Sequence, residues 1–442
     1  MLTIPGTGRK VHYRRGGSGP PLLMVHQSPR SSAEYEPLMR AWAEHFTCIA
    51  PDTPGFGQSD PLPGEPDINA FADALLETMD ALGLGACPAY GFHSGGIILV
   101  TALKRAPERF ACLAIGGYAI WTAEEMRIFG ESYLPPFRPS PYGEHLAWLW
   151  NRMLEQSWFF PWFDTRDAAR LSVAHSDLPR VQQAVMEMLD AGNAYRAGYG
   201  AVLRAPRDIP PPDARTPPVL ISAYDGDPLQ AHIDRLGEMP ANWQALKVAT
   251  PAEHQATSLA FLREHAGGIA PPALAEDPDE GWIEAAGALL HWRGARGAAR
   301  MVLHAPGAEL AEPGPDKIAI DVPGHGLSED AEDVLAAIHA AREALGARAI
   351  AWPALPQGDP DLLYPDLAPD RFGGHLLKAW SAARAEAIFA PWYAASPAAA
   401  IPLAAGALAP HAIAARTRAR LRAGSAARAW HDILASNPGG TR

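Results

Sequence analysis

Short apolar segments alternate with helical segments through the first 120 residues, and this rhythm restricts the fold more than any other feature of the chain. Pro21 to His26 is an apolar run, a helix is expected over 32–44, and Thr47 to Pro51 is a second run. A helix over about 67–82, a strand over 86–90, a helix over 95–106 and a strand over 111–116 continue the pattern. Repeated strand–helix–strand units predict an α/β fold with a doubly wound, mostly parallel sheet. The rhythm breaks between Ile120 and Thr216, where helical patterns rich in aromatics take over, and resumes with the strand Pro218 to Ser222. The reading is a core formed by 1–119 and 217–268, with a helical cap inserted at 120–216.

At 442 residues the chain exceeds what one hydrophobic core usually organises. Its 37 basic and 49 acidic side chains leave a net charge of −12. Such a balance argues against nucleic acid and anionic membranes as partners. Cys48, Cys87 and Cys112 each lie in or beside an apolar run, so they are read as buried thiols and not as disulfides. The first 19 residues lack the apolar run of an export signal, and Lys10 to Arg14 alternate as in a hairpin. No apolar stretch reaches the ~20 residues of a membrane helix. A cytoplasmic location is expected.

Chemistry is expected where strands hand over to helices. Tyr90-Gly91-Phe92-His93-Ser94-Gly95-Gly96 joins a strand to a helix, with small residues after the serine. Asp52-Thr53-Pro54-Gly55-Phe56-Gly57-Gln58-Ser59 follows the strand at 47–51, and Leu22 to Pro29 holds a His-Gln pair. Ala223 to Leu229 contains Asp225 and Asp227-Pro228, and Thr250 to Gln255 contains His254.

Taken in this order, the segments resemble the α/β-hydrolase superfamily, in which a strained strand-to-helix turn presents a nucleophile above the sheet and the triad runs serine, acid, histidine. The resemblance implies Ser94 as nucleophile, Asp227 (preferred to Asp225) as the acid and His254 (preferred to His265) as the base. Backbone N–H groups of Ser28 and Gly95 are the implied oxyanion hole, since Pro29 has none to offer. Phe92 stands where a small residue is usual, with Gly91 one position earlier, and Gln27 replaces a glycine. His12, His26 and His93 are read as structural. A serine nucleophile sets the chain apart from relatives that carry an aspartate at the turn, the haloalkane dehalogenases and epoxide hydrolases.

The implied activity is a serine hydrolase that cleaves an ester, or a related amide or thioester, of a small hydrophobic or aromatic substrate through an acyl enzyme. Trp148, Trp158, Phe159 and Trp162 are the candidate substrate-binding aromatics. Carbon–carbon bond hydrolysis, cofactor-free oxygenation and acyl transfer remain open on the same fold, as does a non-enzymatic receptor for a small ligand. No metal motif, phosphate-cradling loop or nucleotide fingerprint occurs, so no cofactor or metal is implied.

Residues 269–280 read as a linker, and the chain beyond residue 280 repeats the first half in weakened form. His12-Tyr13-Arg14 recurs as His291-Trp292-Arg293, and the turn at Asp52 recurs as Asp321-Val322-Pro323-Gly324-His325-Gly326. The cap segment at Gly143, His145, Trp150 and Trp162 recurs at Gly373, His375, Trp380 and Trp392. The serine position falls near Gln357, and the strands for an acid and a histidine are missing. The expectation is a degenerate half-core at 281–358 and cap-like helices at 359–442. This second copy is expected to pack on the first in place of a second subunit, and a homo-oligomer stays open as an alternative.

Overall fold

The computed structural model describes residues 1–130, 132–206, 209–267 and 277–436, which divide into two compact units. One unit holds 2–137 and 152–267; the other holds 138–151 and 277–436.

The first unit opens with β1 (Leu2–Thr3) and β2 (Lys10–Val11), an antiparallel pair, and continues with β3 (Tyr13–Gly16), β4 (Pro21–Val25), α1 (Glu36–Trp42) and β5 (Thr47–Pro51). Then come α2 (Ile68–Ala81), β6 (Cys87–Phe92), α3 (Ser94–Arg105), β7 (Phe110–Gly116) and α4 (Ala123–Phe129). The helix α5 (Glu144–Glu155) follows, its residues 144–151 belonging to the other unit, and then α6 (Leu178–Ala191) and α7 (Tyr195–Leu203). β8 (Val219–Tyr224), β9 (Trp243–Val248) and α8 (Pro251–Glu264) complete it. The seven-stranded sheet runs β3-β5-β4-β6-β7-β8-β9, parallel except for β3.

Alternation along each strand explains the two layers of helix, because successive side chains leave a strand on opposite faces. Leu23 and Val25 of β4 join the core that includes Phe71 and Leu75 of α2 and Ile98 of α3. Leu22 and Met24 join Leu38 and Trp42 of α1 and Phe261 of α8 on the other face. All four β4 side chains are fully buried, each contributing roughly 1.5–3 kcal/mol of transfer free energy. The three cysteines lie in β5, β6 and β7 as buried free thiols. α2 begins where Asp67 accepts the N–H of Ala70 at 2.9 Å, an N-cap that fixes the helix start within a residue of the expected one.

The other unit contains β10 (Glu280–Ala285), β11 (Ala288–Gly294), β12 (Arg300–Leu303), β13 (Lys317–Ile320), α9 (Val334–Ala344) and β14 (Ala349–Ala351). These are followed by α10 (Pro360–Leu363), α11 (Gly374–Glu386), α12 (Pro410–Ala423) and α13 (Ala426–Ser436). β10 starts inside the stretch expected to be linker; 269–276 of that stretch lies outside the described residues. The strand order β11-β13-β12-β14 has the directions of β3-β5-β4-β6. Local bonding matches as well. His291 Nδ1 lies 2.8 Å from Asp321 as His12 Nδ1 lies 2.8 Å from Asp52, and the ring of His304 accepts the N–H of Val322 as that of His26 accepts the N–H of Thr53.

The cap departs from the expected division at 120–216, because 138–151 falls in the second unit. There Gly143 lies against the Trp380 ring and Gly373 against the Trp150 ring, and Trp150 donates its indole N–H to the carbonyl of Arg371.

Candidate active site

The strand β6 hands over to α3 at a single strained residue. His93 has φ 47° and ψ −110°, a region that costs a non-glycine side chain of order 1–3 kcal/mol. The flanking spacing explains the turn: Gly91 stands two residues before His93 and Gly95 two residues after. A Cβ at Gly95 would fall 1.9 Å from the carbonyl oxygen of Val25, and one at Gly91 would fall 2.9 Å from the Gly95 carbonyl carbon. Glycine therefore lets the turn close, and the residue at its apex is His93. Ser94 is the first residue of α3, one position past the apex.

This geometry rearranges the expected triad. Ser94 is buried; its Oγ accepts the N–H of Ser28 at 2.6 Å and donates to Ser28 Oγ at 3.2 Å. Asp227 bonds the imidazole of His93, with Nε2 to Oδ1 at 3.0 Å, and its Oδ1 also accepts the N–H of Leu229 at 2.8 Å. Burial pushes the Asp227 carboxyl up, but the His93 ring, that ring's hydrogen bond and the Leu229 N–H outweigh it and hold the group below its ordinary value. Gly117 makes room for the pair: with φ +60°, its missing Cβ would stand 3.0 Å from both His93 Nε2 and Asp227 Oδ2.

His254 does not join them. Only Ala249 and Thr250 separate β9 from α8, so His254 falls on the first turn of the helix. Thr250 accepts the N–H of Glu253, and Glu253 accepts the N–H of Ala249, which fixes that turn. The buried imidazole then lies between Tyr90 Oη, 3.0 Å from Nε2, and Ser222 Oγ, 2.8 Å from Nδ1. Burial is the largest effect on it and drives its pKa down to about 4, so the ring is neutral at pH 7. The expected Ser94–His254–Asp227 relay is not assembled. Asp225 bonds the side chain of Gln230 instead, and His265 bonds the Phe261 carbonyl.

Ser28 is held beside the turn by a clasp on its own loop. Glu34 accepts both the backbone N–H of Gln27 (2.8 Å) and its side-chain amide (2.9 Å), which gives Gln27 a role where the family pattern has glycine. Arg30 pairs with Glu187 of the cap helix α6, and Ser31 donates to the same carboxylate at 3.1 Å. The second expected oxyanion donor, Gly95, lies two residues past the apex; the residue directly after the apex is Ser94.

A pocket of ≈ 370 Å³, open mouth included, lies over the turn. Ser28, His93 and Ser94 are among its polar residues, and Ile97, Trp121, Phe160, Tyr199, Val202 and Leu229 are among its aliphatic and aromatic walls. Trp148, Trp158, Phe159 and Trp162, expected to bind substrate, are not among the lining residues. The Trp158 indole donates to the His175 carbonyl, Phe159 bridges to Arg170, and Trp162 packs on Phe163 and under Arg152. Trp148 lies in α5. The aromatics that do line it are Trp121, Phe160 and Tyr199, of which Phe160 lies in the aromatic-rich cap stretch. Phe160 is adjacent to the chosen Phe159, and side-chain direction within a short irregular segment leaves no periodic signal. His93 did leave one, in the glycine spacing around it. Among the described residues, no group of three or more His, Cys, Asp or Glu could hold a metal ion, and no helix is long and apolar enough to cross a membrane.

Comparison with known proteins matches residues 20–133 to the family model described as the alpha/beta hydrolase fold. Haloalkane dehalogenase 2 of Mycobacterium tuberculosis is 32% identical over 135 residues, covering 30% of this chain and 47% of that protein. The pimeloyl-[acyl-carrier protein] methyl ester esterase of a Shewanella species is 30% identical over 146 residues, covering 33% and 52%. The chain thus spans about half the length of these curated relatives. Among solved structures, an esterase from Thermogutta terrifontis matches 60% of this chain and 98% of its own, at 18% identity and a TM-score of 0.46.

Proposed function

We propose that the first unit, whose residues 20–133 match the alpha/beta hydrolase fold, hydrolyses an ester of a small, largely apolar carboxylic acid. The observation that carries the reading is the strained turn. It sets His93, paired with buried Asp227, and the hydroxyls of Ser94 and Ser28 at one end of a pocket whose other walls are aliphatic and aromatic. A few convergent polar groups in an apolar pocket suit a substrate with one reactive carbonyl and a short hydrocarbon body. Amides, thioesters and carbon–carbon bonds present a similar carbonyl; a p-nitrophenyl ester is the first substrate to try because its phenolate leaves without a proton and is read directly.

A p-nitrophenyl ester series from acetate to octanoate tests this. Saturable turnover with an optimum at short to middle chain length supports the reading. Absence of turnover on esters, thioesters and amides alike overturns it.

A second reading, a receptor for a small apolar carbonyl compound, draws on the way the Ser94 hydroxyl is occupied by Ser28 while His254 stands elsewhere. Micromolar binding of such a compound by calorimetry, with no product formed over hours, would select it.

A further inference from the structure

We propose that the reacting group of this site is Nδ1 of His93, acting as a general base on water, with Asp227 holding the other nitrogen. The inference rests on the hydrolase reading and specifies its chemistry.

A carboxylate can only accept a hydrogen bond, so the 3.0 Å contact with Asp227 places the proton of the neutral ring on Nε2. The lone pair is then on Nδ1. The side chain of His93 keeps 23% of its surface accessible and lines the pocket, whereas Asp227 beneath it is fully covered. A buried carboxylate that fixes the tautomer of an accessible imidazole is the arrangement a general base requires. Here the imidazole stands at the apex of the turn itself, so water can serve as the nucleophile with no nucleophilic side chain between base and substrate. Ser94 has no base among the described residues: its Oγ bonds Ser28, and His254, spent on Tyr90 and Ser222, does not reach it.

In the step, His93 Nδ1 takes a proton from water as the water oxygen bonds to the carbonyl carbon, and the carbonyl π electrons move to oxygen. The N–H of Ser28 and the N–H of Ser94, which as the first residue of α3 has no intrahelical partner, are the donors we assign to that oxygen. For the Ser28 N–H to serve, the Ser94 hydroxyl must rotate away from it. The tetrahedral species collapses with cleavage of the carbon–oxygen bond, and the departing alkoxide takes the proton back from Nδ1. Water and ester become acid and alcohol, and the Nε2 proton stays with Asp227 throughout.

Two measurements on the full-length protein test this, one independent of turnover. Diethyl pyrocarbonate carries a small reactive carbonyl and marks basic, accessible imidazoles. It should modify His93 at least tenfold faster than His254, as read by peptide mass, and Asp227→Asn should slow the His93 reaction. Modification of His254 ahead of His93, or no effect of Asp227→Asn, overturns the assignment whether or not any ester is turned over. With the ester that serves best, His93→Gln should lose at least 10²-fold in kcat/KM, while His254→Gln, which keeps polar contacts to Tyr90 and Ser222, stays within tenfold. An acyl adduct on Ser94 by intact mass, or activity that survives His93→Gln and not His254→Gln, overturns it. An ester panel with no turnover fails the hydrolase reading instead, and the pyrocarbonate rates still decide whether His93 is the reactive base.

Discussion

Arg30 and Glu187 form an ion pair that ties the loop after β4 to the cap helix α6. Both side chains are largely withdrawn from water, and Ser31, Gln183 and Glu34 face the same carboxylate. Burial is the dominant effect on Glu187; together with repulsion from Glu34 it outweighs Arg30 and raises the carboxyl to about 7 from an ordinary 4.5. A folded pKa above the unfolded one means that the folded state retains a proton the unfolded state releases. The stability contributed is greatest below the unfolded value and falls as pH rises from about 4.5 to 7. Urea unfolding of the parent and Glu187→Gln at pH 5 and pH 8 should show the parent losing ground to the variant at pH 8, by of order 1–3 kcal/mol. An unchanged difference between the two pH values counts against the pair.

Asp52 and Asp321 occupy the same position in two matching networks, which predicts matching penalties. Asp52 accepts from His12 Nδ1 at 2.8 Å and from the N–H groups of Ser32 and Gln58 at 2.8 and 2.9 Å; His12 also donates its backbone N–H to Ser59 at 3.0 Å. Asp321 accepts from His291 Nδ1 at 2.8 Å and from the Leu327 N–H at 3.0 Å, and His291 donates to Ser328 at 2.9 Å. Removing one partner of a buried, hydrogen-bonded pair costs about 3–5 kcal/mol. Asp52→Asn and Asp321→Asn should each destabilise by a similar amount, and hydrogen exchange should place the loss in β3–β5 for the first and β11–β13 for the second. A silent Asp321→Asn would mean that the second network does not hold its turn.

These turns were legible in the sequence because their requirements are local. Gly55 and Gly57 have φ of 82° and 54°, Gly324 and Gly326 have 73° and 53°, and an Asp-x-Pro-Gly-x-Gly string announces such a turn wherever it occurs. The buried strands were legible for a similar reason, since β4 and β5 are apolar at nearly every position. The site was legible in its parts: Ser28, Ser94 and Asp227 do come to one end of the sheet. The apex of the turn was not, because it is a backbone property, and it falls at His93 and not at Ser94. The two-residue connection before α8 likewise turns His254 toward Tyr90, and nothing in the segment around His254 reports where Tyr90 lies.

The pocket walls make a prediction of size. Val202 of α7 and Ile97 of α3 are buried lining residues without polar duties. Val202→Trp adds an indole to the pocket wall and should shift the preferred ester toward shorter acyl chains, raising KM for octanoate by tenfold or more while leaving acetate nearly untouched. Ile97→Ala should shift preference the other way. A uniform loss across all chain lengths in both variants would mean that these side chains support the fold and do not contact substrate.

Gly143 and Gly373 make the last prediction, and it concerns the second unit. Each precedes a helix, α5 or α11, with φ of +85° or +70°, and each lies under a tryptophan of the opposite helix. A Cβ at Gly143 would stand 2.9 Å from the Trp380 ring, and one at Gly373 would stand 2.5 Å from the Trp150 ring. The pairing is reciprocal beyond the glycines. His145 meets Trp380 edge-on at 5.0 Å between ring centres, and His375 meets Trp150 in the same way at 5.0 Å. Strain at positive φ and displacement of a buried indole act together in either alanine variant, so each should lose about 2 kcal/mol or more. Because the two helices share one packed contact, the double variant should lose less than the sum. Hydrogen exchange of 144–151 and 374–386 should rise together in either single variant. Rise in one helix alone would show that the two glycines serve separate turns and not one reciprocal interface.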